Sequence, residues 1–114
     1  MAVLIVLLNV LLLAAGQVLW KLALLRRPLT APSQLVPVLM QPAMMLGCFL
    51  FALATVIWFY ALSRYALSRV YPLQSMAYVI GACSGIVLFK ESFSSTQWLG
   101  LLFVVGGAFL LARA

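Results

Sequence analysis

Apolar residues run so continuously along the chain that its organisation is read from the interruptions. From Ala2 the sequence carries no charge until Lys21 and stays apolar to Leu25, where Arg26, Arg27 and Pro28 close the run. A helix needs about 20 mostly apolar residues to cross the hydrocarbon core of a bilayer, so residues 2–25 read as a first membrane span. Pro28, Pro32 and Pro37 mark a loop, because a ring without an N–H opposes helix continuation. Pro42 suits the first turn of a new helix; the second span covers residues 42–63, with Leu35 to Gln41 as a short lead-in and Arg64 as its end. A third run covers residues 67–89 and stops at Lys90 and Glu91, and a fourth covers residues 96–112. Ser94 and Gln97 have capping-box spacing, which satisfies orphan amides where the last helix starts. The first run lacks the basic N-terminal cluster of a signal peptide and is long for one, so it is expected to be retained. The pattern predicts an all-α membrane protein with four transmembrane helices, residues 1–114 forming one transmembrane domain.

Composition narrows the chemistry. Of 114 residues, 68% are hydrophobic and 7% charged, against about 25% charged in a soluble domain, so most of the surface faces lipid. Seven Lys or Arg stand against one acid, Glu91, and no His. General acid/base pairs, zinc sites and Ser/His/Asp or Cys/His triads lack their residues, so neither an enzyme nor a metal or cofactor site is expected. Cys48 and Cys83 sit inside apolar runs without CxxC spacing and read as small buried residues. The net charge of +6 is spread singly or in pairs at span ends, as snorkelling anchors are, and not in a basic stripe that would meet nucleic acid. Arg64, Arg69 and Arg113 fall on one membrane side; Arg26, Arg27 and Lys90 fall on the other. That even division sets no orientation by the positive-inside bias and permits insertion either way.

Polar residues inside a membrane are costly and usually face a partner or cavity. In the first span these are Asn9, Gln17 and Lys21, with Gln17 and Lys21 one turn apart on one face. Two readings stand: Lys21 snorkels while Gln17 bonds a neighbouring helix, or the pair receives an anionic or polyol headgroup. Tyr71, Gln74, Ser75 and Tyr78 follow i, i+3, i+4, i+7 spacing and predict one polar stripe, either a substrate path or a set of interhelical hydrogen bonds. Pro72 within that helix frees the Ser68 carbonyl for a cavity or hinge. Ala77, Gly81 and Gly85 are four apart, and Gly100 and Gly107 are seven apart beside Gly106 and Ala108. Such small residues allow close helix packing, within the bundle or against a second copy. Trp20, Trp58 and Trp98, with Tyr60 and Tyr65, lie near span ends, where aromatic rings favour the headgroup level; Trp20 and Trp58 alternatively line a cavity.

The ordered set Trp58-Phe59-Tyr60-Ala61-Leu62-Ser63-Arg64, Arg69-Val70-Tyr71-Pro72-Leu73, Lys90-Glu91, Gln97-Trp98-Leu99-Gly100 and Gly106-Gly107 resembles the drug/metabolite transporter superfamily, especially its EamA-type repeat. The resemblance covers essentially the whole chain. Members of the related small multidrug resistance family carry an acid midway along the first span for cationic drugs, and here there is none. A cation left unpaired in the membrane costs on the order of 3 kcal/mol, so proton-coupled cation export is disfavoured. Gly16-Gln17 with Lys21, and Tyr71-Pro72, are similar to patterns of the small flippase subunits that move aminoarabinose-linked undecaprenyl phosphate. A lysine suits a phosphate, since opposite charges lower the cost of burying both.

The resemblance implies Gln17, Lys21 and Tyr71 as headgroup contacts and Gln74 and Tyr78 as further lining, with Ser75 on the same stripe. It implies a gating or structural role for Glu91 beside Lys90, while Pro72 reads as gating or structural from its ring and Gly81, Gly85, Gly100 and Gly107 read as helix packing from their spacing. The function expected is a bacterial inner-membrane transporter subunit flipping a lipid-linked anionic sugar. Its partners are expected to be membrane lipid and a second subunit, either its own copy or a related small protein, in an antiparallel arrangement. No ATP-binding motif is evident, so a gradient or consumption of the product supplies the driving force. The alternatives are a small-metabolite or drug exporter and a non-transporting accessory subunit.

Overall fold

Four helices long and apolar enough to cross a bilayer make up the computed structural model, which describes residues 1–113. Helix α1 (Ala2–Arg26) is followed by a 3-10 turn (Pro32–Gln34) and the short α2 (Leu35–Leu39). Helix α3 (Pro42–Arg64) returns across the membrane, the broken pair α4 (Leu67–Leu73) and α5 (Met76–Phe89) crosses again, and α6 (Ser95–Arg113) completes the bundle. At a rise of 1.5 Å per residue, a helix of 25 residues is about 37 Å long, enough to span a core of about 30 Å. The spans agree closely with the lengths of the apolar runs, because lipid offers backbone groups no partner and an apolar segment in it must satisfy them as helix.

Helix α1 is the centre of the molecule and touches α3, α4 and α5. Its antiparallel contact with α3 follows a seven-residue rhythm: Ala2, Asn9, Gly16 and Ala23 are buried on α1, and Gly47, Ala54 and Ala61 on α3. Seven residues make almost two turns, so each set forms a single seam, and small side chains let the two backbones approach. Gly16 faces Gly47 so closely that a Cβ on Gly16 would stand 3.0 Å from the Gly47 carbonyl oxygen. At one end of the seam Gln41 Nε2 donates to the Ala23 carbonyl at 3.3 Å, and Val38 of α2 packs with Ala23 and Met44. Trp20 spans the same helix pair, its Nε1–H donating to the Met44 carbonyl at 3.2 Å and its ring stacked on Phe51 at 5.1 Å. It is therefore an interhelical residue and not only a headgroup-level anchor.

The third crossing breaks at Gln74 and Ser75. Pro72 lies inside α4 and has no N–H to give the Ser68 carbonyl. Beyond it the ladder tightens to i+3 bonds: Gln74 N–H to Tyr71, Ser75 to Pro72, Ala77 to Gln74 and Tyr78 to Ser75, all at 2.9 to 3.0 Å. Three residues per turn instead of 3.6 rotates the following side chains off the earlier line. The stripe predicted for Tyr71, Gln74, Ser75 and Tyr78 is consequently divided. Gln74 Nε2 donates to Asn9 Oδ1 at 2.9 Å, and Asn9 Nδ2 donates to the Ala54 carbonyl at 2.6 Å. This relay ties the break to both helices of the seam, and Asn9 is only 1% exposed. Interhelical bonds of this kind in membranes are worth about 0.6 kcal/mol on average and up to about 1.7. We expect Asn9→Leu to cost about 1 kcal/mol in detergent-denaturation midpoints, and Asn9→Leu/Gln74→Leu to cost less than the sum of the single changes.

The start of α6 follows the expected local chemistry. The Ser94 N–H donates to Gln97 Oε1 at 2.7 Å and the Gln97 N–H donates to Ser94 Oγ at 3.2 Å, a complete capping box. Phe93 and Trp98, the residues flanking that box, meet edge to face at 4.8 Å as its hydrophobic staple. Helix α6 lies against α4 and α5 but buries none of its own residues. Cys48 and Cys83, expected as buried, are exposed free thiols. Four helices leave most positions on the outside, and a weakly polar thiol facing lipid costs little.

Candidate functional site

A trough of about 430 Å³ opens between α1, α3 and α5, and its polar lining is Gln17, Lys21, Tyr78, Ser84 and Glu91. Helix α1 supplies Gln17 and Lys21 from one face, as their spacing requires. Helix α5 supplies Tyr78, Gly81 and Gly85, and Phe51 of α3 forms the back wall. Among the described residues the Gln17 amide has no hydrogen-bond partner, so its donors and acceptor are available to a ligand.

Lys21 is the cation of this trough. Its Nζ lies 3.7 Å from Glu91 Oε2 and 6.0 Å from the centroid of the Phe89 ring. Both members of the ion pair are about half exposed, 48% and 51%. A separation of 3.7 Å exceeds the 2.7–2.9 Å of a tight charge-assisted bond, and exposed pairs contribute about 0–1 kcal/mol. The pair is therefore a replaceable contact. A second cavity, of about 660 Å³, shares Val18, Lys21, Phe89 and Glu91 with the trough and continues past Leu22 and Leu25 toward the end of α1. The ion pair forms the wall between the two.

Glu91 reaches this position through an unusual backbone. Lys90, the residue ending α5, has φ 53° and ψ 37° and is the one non-glycine residue with positive φ among those described. The left-handed conformation costs an ordinary L-residue roughly 1–2 kcal/mol. It folds the chain back so that the Glu91 N–H donates to the Gly85 carbonyl at 3.1 Å. The Glu91 carboxylate then lies against the Gly85 Cα, where any Cβ would collide with its Oε1. The 6→1 bond from the residue after a left-handed one is a common way for an α-helix to end, here with a lysine where glycine is usual.

The other residues singled out by the sequence lie elsewhere. Tyr71 is exposed and meets Trp58 edge to face at 6.3 Å. Gln74 is engaged with Asn9. Ser75 borders an apolar groove of about 440 Å³ between α1, α5 and α6, beside Val3, Val79 and Phe109. Gly81, Gly100 and Gly107 have nothing within 4 Å of where a Cβ would stand, so no helix of this chain packs on them. Pro72 acts at the helix break, and Lys90 through its backbone. Sequence reasoning missed Gly47 and the Asn9 relay; the seven-residue spacing of small residues in both of the first two spans was the available signal.

The EamA-like transporter family matches residues 1–113. The chain belongs to that family. Among curated EamA-type relatives, a probable 4-amino-4-deoxy-L-arabinose-phosphoundecaprenol flippase subunit ArnE of Aeromonas hydrophila is 35% identical over 97% of this chain and 96% of its own length. A probable ArnF subunit of the same flippase from Sodalis glossinidius is 30% identical over 90% of this chain and 84% of its own. A probable ArnF subunit from Serratia proteamaculans is 37% identical over 57% of this chain, the match spanning about half, 52%, of that relative. No solved structure matches this EamA-like chain. Four apolar crossings and bacterial flippase-subunit relatives make it a multi-pass protein of the bacterial inner membrane.

Proposed function

We propose that this EamA-like protein is a subunit of a flippase that moves a polyprenyl-phosphate-linked sugar between leaflets, and that it performs no covalent chemistry. The observation that carries the reading is Lys21, a membrane-level cation held by a loose and replaceable contact at the wall of a mainly apolar trough with a few polar groups. A lipid phosphate displaces Glu91 and takes up the ammonium, Gln17 and Tyr78 supply hydrogen bonds to the sugar, and the isoprenoid tail stays in lipid. Relatives named as subunits of a flippase for such a lipid support this substrate class. A permanent cation would have to compete with Lys21 for the chain's one acid.

The trough opens at the edge of a bundle whose fourth helix is wholly unburied, and we propose that a second subunit completes it, either another copy or a related small chain. Gly100, Gly107 and Gly81, open in this chain, are suited to that contact. Lys90, Glu91 and Pro72 serve gating, through the ion pair and the helix break.

The test is reconstitution into proteoliposomes, with the chain alone and with a related small subunit, using a polyprenyl phosphate bearing an amino sugar as substrate. Time-dependent appearance of the sugar in the opposite leaflet supports the reading. Equal rates in empty liposomes and with both protein preparations defeat it and leave the accessory role.

A further inference from the structure

The one pair of adjacent cations in the chain, Arg26 and Arg27, lies where α1 ends. Consecutive residues of a helix point about 100° apart and do not face one another. Arg27 has already left the helix, with φ −136° and ψ 88°, and both residues line one cavity of about 470 Å³. Its remaining walls are Pro28, Thr30 and Gln34 from the loop and the 3-10 turn, and Pro37 and Val38 from α2. Helix α2 is fixed as the far wall, because Val38 is buried with Ala23 and Met44 and Gln41 bonds the Ala23 carbonyl.

The polar groups of this cavity are matched to an acceptor. Gln34 Oε1 accepts from the Thr30 N–H at 3.2 Å and from the Thr30 hydroxyl at 2.8 Å. That clasp occupies both lone pairs of the amide oxygen and leaves Nε2, a donor, as its free end. Each guanidinium offers five N–H donors and no acceptor. No acidic side chain lines the cavity, and the only one in the chain, Glu91, pairs with Lys21. The same loop and α2 expose Leu29, Leu35, Val36, Leu39 and Met40. Such side chains settle in lipid at the boundary, so the cavity opens at headgroup level.

We infer that this cavity binds the phosphate of an anionic phospholipid, with Arg26 and Arg27 on the phosphate oxygens and Gln34 Nε2 as a further donor. This lipid is a resident one and not the transported substrate, and the site stands independently of the flippase reading.

Both arginines are exposed and need no partner to stay charged; what marks the site is their convergence. Snorkelling accounts for arginines that reach the interface separately. Arg64, on the other membrane side, is of that kind, its guanidinium lying 5.5 Å from the centroid of the Tyr60 ring on its own helix. Arg26 by itself complements the negative end of α1. Two guanidiniums and an amide donor on one cavity exceed both needs, and the guanidinium fork suits phosphate oxygens two at a time. Basic recesses beside membrane helices take anionic headgroups on these grounds. A zwitterionic headgroup would bring its own ammonium against the arginines, and a free phosphate gains nothing from the apolar rim. The even count of cations on the two membrane sides therefore conceals an inequality, since one side gathers two of its cations in a single anion site.

The test is native mass spectrometry of the full chain in micelles, titrated with phosphatidylglycerol, phosphatidylcholine or inorganic phosphate. Wild-type protein is expected to retain one phosphatidylglycerol with at least fivefold preference over phosphatidylcholine, and to bind inorganic phosphate at least tenfold more weakly. Arg27→Gln lowers the lipid preference at least threefold, whereas Arg64→Gln, the same loss of charge on the other side, leaves it unchanged. Thr30→Val alters no charge but releases Gln34, and lowers the preference about twofold. Equal effects of Arg27→Gln and Arg64→Gln overturn the inference in favour of diffuse attraction, as does a wild-type protein without lipid preference. Inorganic phosphate bound as tightly as phosphatidylglycerol overturns the assignment to a lipid. Flipping of the lipid-linked sugar is read separately, so the failure of this site and the failure of the flippase reading are distinguishable.

Discussion

Replacing Lys21 with Met is expected to reduce flipping by tenfold or more while leaving the bundle folded. Met keeps the unbranched length of the lysine stem, so packing along α1 against Val18 and Phe89 survives. The stability change stays within about 1 kcal/mol, because the ion pair that is lost is half exposed and such pairs contribute about 0–1 kcal/mol. The loss to the substrate is larger. A hydrogen bond to a charged group is worth about 1.5–3 kcal/mol, and each 1.4 kcal/mol is a factor of ten, so about 2 kcal/mol corresponds to roughly 30-fold. Lys21→Arg retains the charge and keeps most of the activity. The double change Lys21→Met/Glu91→Gln separates two roles. If Lys21 serves only to neutralise Glu91, removing both charges restores transport; if it holds the phosphate, transport stays low. Proteoliposome flipping rates, normalised to folded protein by size-exclusion chromatography, distinguish the outcomes. Full activity in Lys21→Met would remove the proposed phosphate contact.

Gly47→Leu is expected to be the most disruptive single change to the bundle. A Cβ at that position would stand 2.7 Å from the Trp20 ring and 3.0 Å from the Gly16 carbonyl oxygen. The ring is itself stacked on Phe51 and bonded to Met44, and the carbonyl belongs to a helix backbone, so neither yields without parting α1 from α3. Overpacking typically costs about 1–3 kcal/mol; here separation also weakens the Asn9–Ala54 bond along the same seam, and we expect about 3 kcal/mol. Thermal denaturation in detergent should show a large fall for Gly47→Leu and a smaller one for Gly16→Ala. Gly81→Ala, at an open position, should be near neutral. The damage extends to the trough, because Phe51, one turn from Gly47, forms its back wall. A Gly47→Leu protein as stable as wild type would show that the seam is not where the bundle derives its cohesion.

Both predictions bear on what the residue pattern discloses. The apolar runs located all four crossings, and Ser94 and Gln97 located the start of α6, because these features depend on lipid and on neighbours a few residues away. The proline in the third crossing was equally visible, but its consequence was not. A stripe drawn at 3.6 residues per turn assumes that the helix continues, and the i+3 bonds after Pro72 rotate Ser75 and Tyr78 away from Tyr71. Tyr78 thereby reaches the trough while Gln74 turns to Asn9. Gly81 and Gly85 illustrate a similar limit. Their spacing is that of a helix contact, yet Gly85 receives a carboxylate and Gly81 faces open space, since spacing records which residues share a face and not what that face meets.

From its sequence alone the protein is determined as four membrane helices with a lysine and a glutamine on one face of the first, no carboxylate beside them, and small residues at seven-residue intervals. Those are consequences of local hydrogen bonding, of helix period and of transfer between water and lipid, all of which act within a short stretch of chain. The joining of Lys21 to Glu91 is of another kind. It depends on α5 lying beside α1, on the seam that positions α1 against α3, and on a left-handed residue that turns Glu91 back over Gly85. Each of these is settled by packing between segments distant in sequence, so only the tertiary structure decided that the chain's one acid and its one lysine within a span share a site.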